Sequence, residues 1–164
     1  MTVYSDDKQA EMLAEVQRHF DEYLSSGGVK GHIIDMNRFV EGPEFATMLL
    51  LRTTGRKSGK KFITPLLYGN WVGHAVIGAT YGGSDTPPQW YLNIKAGGET
   101  AFQIGTQAFR AAAHDAEGEE YDKIWEYMTR QAPIWIEYQK ATTRKIPVVM
   151  LKPLEEIPVF KPGE

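Results

Sequence analysis

Five basic residues lie close together in a chain that is otherwise acidic. They are Arg52, Arg56, Lys57, Lys60 and Lys61, and no acidic residue stands between them. The 164-residue chain has a net charge of −3, and outside segment 52–61 it holds 13 basic and 21 acidic residues. A local positive field on an acidic protein attracts a small anion rather than a long polyanion. The segment therefore indicates an anion site, and the overall charge argues against nucleic acid as a partner.

Residues 53–59, with the sequence TTGRKSG, add donors that suit a phosphate or a carboxylate. The two glycines permit backbone angles that let successive N–H groups converge on one anion. Thr54 and Ser58 add hydroxyl groups, Arg56 a planar fork and Lys57 a point charge. The spacing of a Walker phosphate loop is missing. On composition alone, a solvated basic hairpin turn is an equally good interpretation, because runs of charge are often simply exposed.

Three further segments hold residues that could border a flat ring or a substrate. Residues 79–83 read ATYGG, residues 87–93 read PPQWYLN, and Trp135, Tyr138 and Gln139 stand nearer the C-terminus. Tyr138 could give a proton or a hydrogen bond to a substrate oxygen. In each segment, the alternative is that the aromatic side chains simply pack against the rest of the fold.

Other reactive residue types show no catalytic or metal-binding arrangement. Cysteine is absent, which excludes disulfides and thiolate chemistry and fits a reducing cytoplasm. The four histidines lack metal-ligand spacing, so no metal is predicted, and no serine has a GxSxG setting. The composition, with 42% hydrophobic and 24% charged residues, is that of one soluble globular domain.

The first 45 residues are predicted to form an N-terminal helical segment, with Asp6 or Asp7 as its cap. Apolar residues recur at helical spacing on one face: Leu13, Val16, Phe20 and Tyr23. The polar face holds more acidic than basic residues, so a packed or pocket-covering helix is favoured over peripheral membrane association. No apolar run reaches the roughly 20 residues of a transmembrane segment.

Short apolar runs after residue 45 predict strands of an antiparallel sheet. They cover residues 46–52, 62–68, 72–79, 100–104, 107–113 and 146–151. Tight turns are predicted at Gly69-Asn70 and Gly105-Thr106. Pro147 predicts that the last strand starts at or near an edge, because proline cannot donate to the ladder.

Two more helices are predicted, over residues 119–130 and after Pro133. Strands that outnumber helices indicate a mainly β fold, an antiparallel barrel or sandwich with peripheral helices. We expect a single domain over residues 1–164, with the barrel core at 46–152 and an irregular tail at 153–164.

Taken in order, these segments resemble the deazaflavin-dependent nitroreductase family, whose cofactor is coenzyme F420. The matching pieces are LLLRTTGRKSG at 49–59, TPL at 64–66, TYGG at 80–83, WYLN at 90–93, YQ at 138–139 and TTRKIPV at 142–148. Each is weak alone, but the ordered set is specific. The resemblance implies a split β-barrel of the FMN-binding type. It also implies hydride transfer from reduced deazaflavin to a quinone, a nitro compound or an unsaturated lactone or enone.

The resemblance also implies roles for the matched residues. The cofactor's phosphate and glutamate tail would contact the basic loop: Arg56, Lys57, Ser58, Gly59 and Lys60. The next strand would run beside the cofactor: Phe62, Ile63, Thr64, Pro65, Leu66 and Leu67. Two further segments would add cofactor contacts: Gly78, Ala79, Thr80 and Tyr81, then Gln89, Trp90, Tyr91, Leu92 and Asn93. Trp135 and Tyr138 would border the substrate pocket.

Two alternatives remain at this point. An FMN-dependent reductase could use the same barrel, but a phosphate plus several carboxylates suits five basic residues better than a single phosphate. A non-enzymatic deazaflavin carrier would need no second pocket, so the segment around Trp135 favours an enzyme. A hydride-carrying cofactor also explains why no catalytic triad is present. Related barrels often dimerise, so a homodimer is a further expectation.

Overall fold

A computed structural model describes residues 5–37, 39 and 45–164. Its strands are β1 (Ile33–Asp35), β2 (Phe45–Thr54), β3 (Lys61–Leu67), β4 (Gly69–Trp71), β5 (His74–Gly78), β6 (Thr100–Ile104), β7 (Gln107–Asp115) and β8 (Val148–Ile157). The α-helices are α1 (Asp6–Ser25), α2 (Gln89–Lys95), α3 (Gly118–Gln131) and α4 (Ile134–Lys140). None of the helices described is long and apolar enough to cross a membrane.

The sheet curls into a barrel because the continuous segment formed by β3 and β4 pairs with two strands at different places in the sheet. The strand order is β1-β2-β6-β7-β8-β5-β4, and every pairing is antiparallel. β3 pairs with β2 while β4 pairs with β5, and Tyr68 alone separates β3 from β4. The path of paired strands therefore returns to β2. The prediction of a mainly β, antiparallel split β-barrel with peripheral helices is confirmed.

The apolar run in β2 is continuous because both faces of this strand are buried. Leu49 and Leu51 pack inside the barrel, in a cluster that includes Ile77 and Phe102. Leu50 points to the other face and packs in a cluster with Tyr23 of α1. β2 thus separates the barrel interior from α1, and it leads directly into the basic loop.

The hairpin turn predicted at Gly69-Asn70 is wrong. These residues belong to β4, and the turn lies at Val72 and Gly73, which have φ angles of +49° and +77°. Gly69 serves close packing instead, because an added Cβ would lie 2.3 Å from the sulfur of Met128. The other predicted turn, at Gly105-Thr106, is confirmed between β6 and β7.

The irregular tail predicted from residue 153 is wrong for its first part, since β8 continues to Ile157. Pro153 is tolerated because it pairs with Ala111 where the β7–β8 register shifts, and prolines within sheets are found at such irregularities. β8 also lies between β7 and β5, so the edge position inferred from Pro147 is wrong. Pro147 precedes the strand, and its carbonyl accepts a hydrogen bond from the amide of Ala79.

The predicted N-terminal helix is present, with three differences. Ser5 occupies the N-cap, and Asp6 and Asp7 lie in the first turn, where carboxylates favour the helix dipole. Leu13 is 57% exposed rather than packed. The segment also contributes strand β1, which pairs with the start of β2.

Candidate active site

A cavity of about 570 Å³ lies between the barrel wall and helices α1, α3 and α4. This volume is within the usual range of ligand pockets, roughly 300–1,000 Å³. Met12 and Val16 of α1 contribute to its lining, as expected of a pocket-covering helix. No charged side chain is found among the lining residues that the structure describes. The cavity therefore suits a neutral group rather than an ion.

The cavity brings together residues that lie far apart in the sequence. Several residues predicted to contact the cofactor and both predicted substrate-pocket residues line it: Pro65, Leu66, Leu67, Gly78, Thr80, Trp135 and Tyr138. The Trp135 ring packs directly on Gly78, because a Cβ added there would lie 2.6 Å from the ring. The absence of a side chain at residue 78 thus fixes where the indole lies.

Other cavity residues were not identified from the sequence. Tyr68, Asn70 and Tyr127 add polar groups to the lining, and Met12 is brought in by α1. The 3.6-residue period of α1 could have indicated Met12. The remaining three carry no local signal, because the closure of the barrel and the packing of α3 bring them to the cavity.

The basic loop is a second candidate site, because four of its five cations lack an acidic partner among the described residues. Arg56, Lys57, Lys60 and Lys61 are exposed, and none forms an ion pair with an acidic side chain in the part of the chain that the structure describes. Arg52 differs, because its Nη1 lies 2.8 Å from Glu164 Oε2 and its guanidinium covers the Phe160 ring. The inclusion of Arg52 in the anion site was therefore wrong, since its charge is already neutralised.

The loop backbone is held in a tight turn that leaves donors exposed. Gly55 N–H donates to the Lys60 carbonyl at 2.7 Å, and Gly59 N–H donates to the Gly55 carbonyl at 2.8 Å. Gly59 has a φ of +69°, which favours glycine. The amide N–H groups of Lys57 and Ser58 have no hydrogen-bond acceptor among the described residues. Successive free amides beside unpaired cations form a suitable anion site.

Helix α2 positions this loop, and it was missed in the sequence because it has seven residues and follows two prolines. Asn93, which is buried, accepts from Arg56 N–H at 3.1 Å and from Arg56 Nη1 at 3.2 Å. Gln89 accepts from the same Nη1 at 3.0 Å. The Asn93 amide donates to the Thr53 hydroxyl at 3.3 Å. Both α2 residues are neutral acceptors, so they orient Arg56 without cancelling its charge.

The aromatic side chains of Trp90 and Tyr91 hold α2 against the barrel. Trp90 is 6% exposed and lies in the barrel core, in edge-to-face contact with Tyr91. The Tyr91 hydroxyl donates to Asp115 at 2.7 Å. Burial and this hydrogen bond raise the pKa of Tyr91, so the phenol stays protonated. Neither ring lines the cavity, and their contact with the cofactor stays a prediction. The two rings anchor α2.

Arg144 organises the turn at Tyr81–Gly83, a role that the sequence did not indicate. Its Nε donates to the Ser84 carbonyl at 2.7 Å, and its Nη2 donates to the Ala79 and Thr80 carbonyls at 2.9 Å. Burial lowers the pKa of Arg144, and its Nη1 is buried with no hydrogen-bond partner among the described groups. Arg144 therefore holds the backbone of Thr80, which lines the cavity, in place. Tyr81 follows it and is exposed.

Comparison with known proteins decides the family. The family described as F420H2-dependent quinone reductase matches residues 29–153. An F420H2-dependent quinone reductase of Mycobacterium tuberculosis is 32% identical over 135 residues, which cover 79% of this chain and 83% of that protein. This chain belongs to the F420H2-dependent quinone reductase family.

Two solved structures are similar to this chain, and the description of one agrees with the family assignment. The F420-H2 dependent reductase FDR-A has a TM-score of 0.59 and 36% identity, covering 64% of this chain and 93% of its own. A structure described as a domain-swapped dimer has a TM-score of 0.61 and 31% identity, covering 84% of this chain and 96% of its own. The chain is thus a deazaflavin-dependent oxidoreductase with coenzyme F420 as its cofactor. The alternatives of FMN and of a non-enzymatic carrier are not supported.

The residues present fit an F420H2-dependent reductase. β3 connects the basic loop to the cavity and has seven residues, a length of about 20 Å at the usual rise per residue. In the part of the chain that the structure describes, one end has cations without acidic partners and amides without acceptors, and the other end has a cavity without charged lining residues. A cofactor with a flat ring and an anionic tail matches this division.

Replacing Asn93 by alanine tests how α2 supports the loop. We expect the Kd for F420 to rise about tenfold, because Arg56 N–H and Nη1 lose an acceptor and the loop loses its anchor. Fluorescence titration with the cofactor measures this. Thr53→Val is the matched control, since it removes only the other partner of Asn93 and should leave affinity within about twofold of wild type. Equal losses in both variants would contradict a specific role of the Asn93–Arg56 contact.

Proposed function

We propose that this chain reduces a quinone with hydride from reduced coenzyme F420, bound along β3. The observation that carries the proposal is the continuity of this strand, which runs from Lys61 beside the unpaired basic loop to Leu67 at the uncharged cavity. An elongated cofactor bound along β3 would bring its redox ring to the place where a neutral acceptor can enter.

The tail of the cofactor is assigned to the loop. Arg56, Lys57 and Ser58 would bind its phosphate and carboxylates, with Gly59 and Lys60 completing the turn. The support is the set of exposed cations without acidic partners and the two free amides. Charge-assisted hydrogen bonds of this kind are about twice as strong as neutral ones. Gln89 and Asn93 would act by holding Arg56 in position.

The ring of the cofactor is assigned to the part of the cavity bordered by the end of β3 and by Gly78 and Thr80. When bound, the reduced cofactor supplies a hydride. The protein's part is to bind and orient the two reactants and to exclude water. Arg144 supports this arrangement by holding the carbonyls of Ala79 and Thr80.

The acceptor is assigned to the opposite part of the cavity, beside Trp135 and Tyr138. An uncharged lining disfavours an ionic substrate, because a buried charge without a partner is costly. It favours a neutral planar molecule that stacks on aromatic and aliphatic side chains. A quinone has this shape, and its two oxygens can accept hydrogen bonds from tyrosine hydroxyls such as that of Tyr138.

An acceptor panel tests the proposed function. Reduced F420 would be mixed anaerobically with the protein and with menadione, coumarin or a nitroaromatic compound, and its oxidation followed by absorbance. We expect the highest kcat/KM with menadione. Binding of F420 without turnover of menadione would overturn the quinone assignment, and faster turnover of coumarin or the nitroaromatic compound would reassign the acceptor.

Assembly and location remain proposals. A homodimer is supported by the related structure described as a domain-swapped dimer. A cytoplasmic location stays a prediction from the cysteine-free sequence.

A further inference from the structure

Tyr68 joins the cavity wall at the bend between β3 and β4. It is half-buried and contributes to the cavity lining, and its backbone N–H donates to the Thr47 carbonyl at 3.4 Å. Burial raises the pKa of Tyr68, and a hydrogen bond with the Thr47 side chain opposes this change. Its hydroxyl is therefore a neutral phenol, on a residue that lines the same cavity as the proposed acceptor site.

His32 lies behind this phenol, outside the cavity lining. The Tyr68 hydroxyl is 2.9 Å from His32 Nε2, and the two rings are tilted with centroids 5.9 Å apart. The imidazole is fixed in place, since the His32 carbonyl accepts from Met48 N–H at 2.8 Å and the ring meets Tyr23 edge to face. Burial lowers the pKa of His32. A neutral imidazole can donate one hydrogen bond and accept another.

The cavity holds few other groups that could give a proton. Of the lining residues described, the ionisable ones are Tyr68, Tyr127 and Tyr138. Tyr127 packs against Trp71, with ring centroids 5.5 Å apart. Tyr68 is the one for which the structure shows an imidazole hydrogen-bonded to the phenol. A phenol backed by an imidazole can lose a proton and recover it through its partner.

We propose that Tyr68 donates the proton that completes reduction of the acceptor, and that His32 is the positioning residue that orients its hydroxyl and restores the proton. This inference rests on the proposed function. It moves the catalytic role away from Tyr138, which the sequence had suggested, and leaves Tyr138 as a binding residue of the acceptor pocket.

The proton and electron balance is complete. The acceptor gains a hydride as the reduced cofactor is oxidised by two electrons, and an acceptor oxygen takes the hydroxyl proton of Tyr68. The O–H bond of Tyr68 breaks as the new O–H bond forms, which leaves a phenolate. As His32 Nε2 gives its proton to the phenolate, solvent gives a proton to Nδ1 of the same ring, so the imidazole stays neutral, and exchange with solvent restores the first tautomer. With a quinone as the acceptor, the product is the hydroquinone.

Tyr68→Phe, His32→Phe and the double variant test this assignment with menadione as the acceptor. We expect Tyr68→Phe to lower kcat about 100-fold, which is the usual size of a general-acid contribution. His32→Phe keeps an aromatic ring and should lower kcat about tenfold, and the double variant should be no slower than Tyr68→Phe because the two residues act as a unit. His114→Phe, at an exposed histidine on β7, is the matched control and should leave kcat unchanged.

Binding and folding are measured on the same variants. The Kd for F420 and the Tm should stay close to wild type in each, which separates a role in proton transfer from a role in structure. A Tyr68→Phe variant with kcat within about threefold of wild type would overturn the proposal. So would a loss in the double variant equal to the product of the single losses. If instead the wild-type protein binds F420 but does not reduce menadione, the proposed quinone function fails rather than the Tyr68 assignment.

Discussion

Replacing Arg56 and Lys57 together by alanine is expected to weaken binding of coenzyme F420 about 100-fold. The two side chains are exposed and form no ion pair in the described chain, so their charges are free for a ligand. Two hydrogen bonds to charged groups contribute about 3 kcal/mol together on a conservative count. That energy corresponds to roughly a 100-fold change in Kd. The Tm should change little, because exposed residues of this kind contribute little to folding.

A charge-matched control is available for this experiment. Arg110→Ala with Lys123→Ala removes the same charge, but each residue already pairs with an acidic side chain elsewhere on the surface. This variant should leave the Kd for F420 within about twofold of wild type at physiological salt. A cofactor fragment that lacks the phosphate and glutamate tail should bind Arg56→Ala/Lys57→Ala as well as wild type. If both charge variants lose affinity equally, the loop acts through general charge and not as a specific site.

Gly78→Ala should damage both stability and catalysis. The added Cβ would lie 2.6–2.9 Å from three carbons of the Trp135 ring, which is 3% exposed and wedged among α3 and β-sheet residues. Overpacking of this kind costs about 2 kcal/mol, or about 6 °C in Tm for a chain of this size. The indole has to shift, and the cavity it lines changes shape. We therefore expect a higher KM for menadione together with a lower Tm.

A second substitution, at Trp135, tests whether the clash with its ring causes the losses in Gly78→Ala. Trp135→Phe removes the part of the ring that the new Cβ would meet, so the double variant should recover most of the Tm lost in Gly78→Ala. Differential scanning fluorimetry and KM measurements on the three variants provide the comparison. An unchanged Tm in Gly78→Ala, or no recovery in the double variant, would mean that the Trp135–Gly78 contact does not shape the pocket.

The sequence predicted the fold and the basic loop because their signals are local. Short apolar runs and the Gly105-Thr106 turn indicate strands directly, and an acid-free cluster of cations is visible without a structure. The prediction of a turn at Gly69-Asn70 was wrong for a physical reason. A glycine needed for contact with Met128 cannot be told from a turn glycine by composition alone.

Site residues that depend on long-range contacts were predicted less well. The core position of Trp90 was not evident from the sequence, because α2 was not recognised as a helix, and its contact with the cofactor stays a prediction. The roles of Arg144 and His32 become visible once the chain is folded, because their hydrogen-bond partners are distant in the sequence. The carbonyl groups bound by Arg144 lie 60 or more positions away, and Tyr68 lies 36 positions from His32. Arg52 was included in the anion site from its charge alone. Its ion-pair partner Glu164 lies 112 positions away, so this pairing could not be seen in the sequence.

A crystal structure of the protein with coenzyme F420 bound would show where both ends of the cofactor lie. We expect its phosphate and first carboxylates within hydrogen-bond distance of Arg56, Lys57 and Ser58. We expect its ring to contact Pro65–Leu67 and Gly78 inside the cavity, with open space left beside Trp135. A tail bound away from the basic loop, or a ring outside the cavity, would contradict the proposed binding mode.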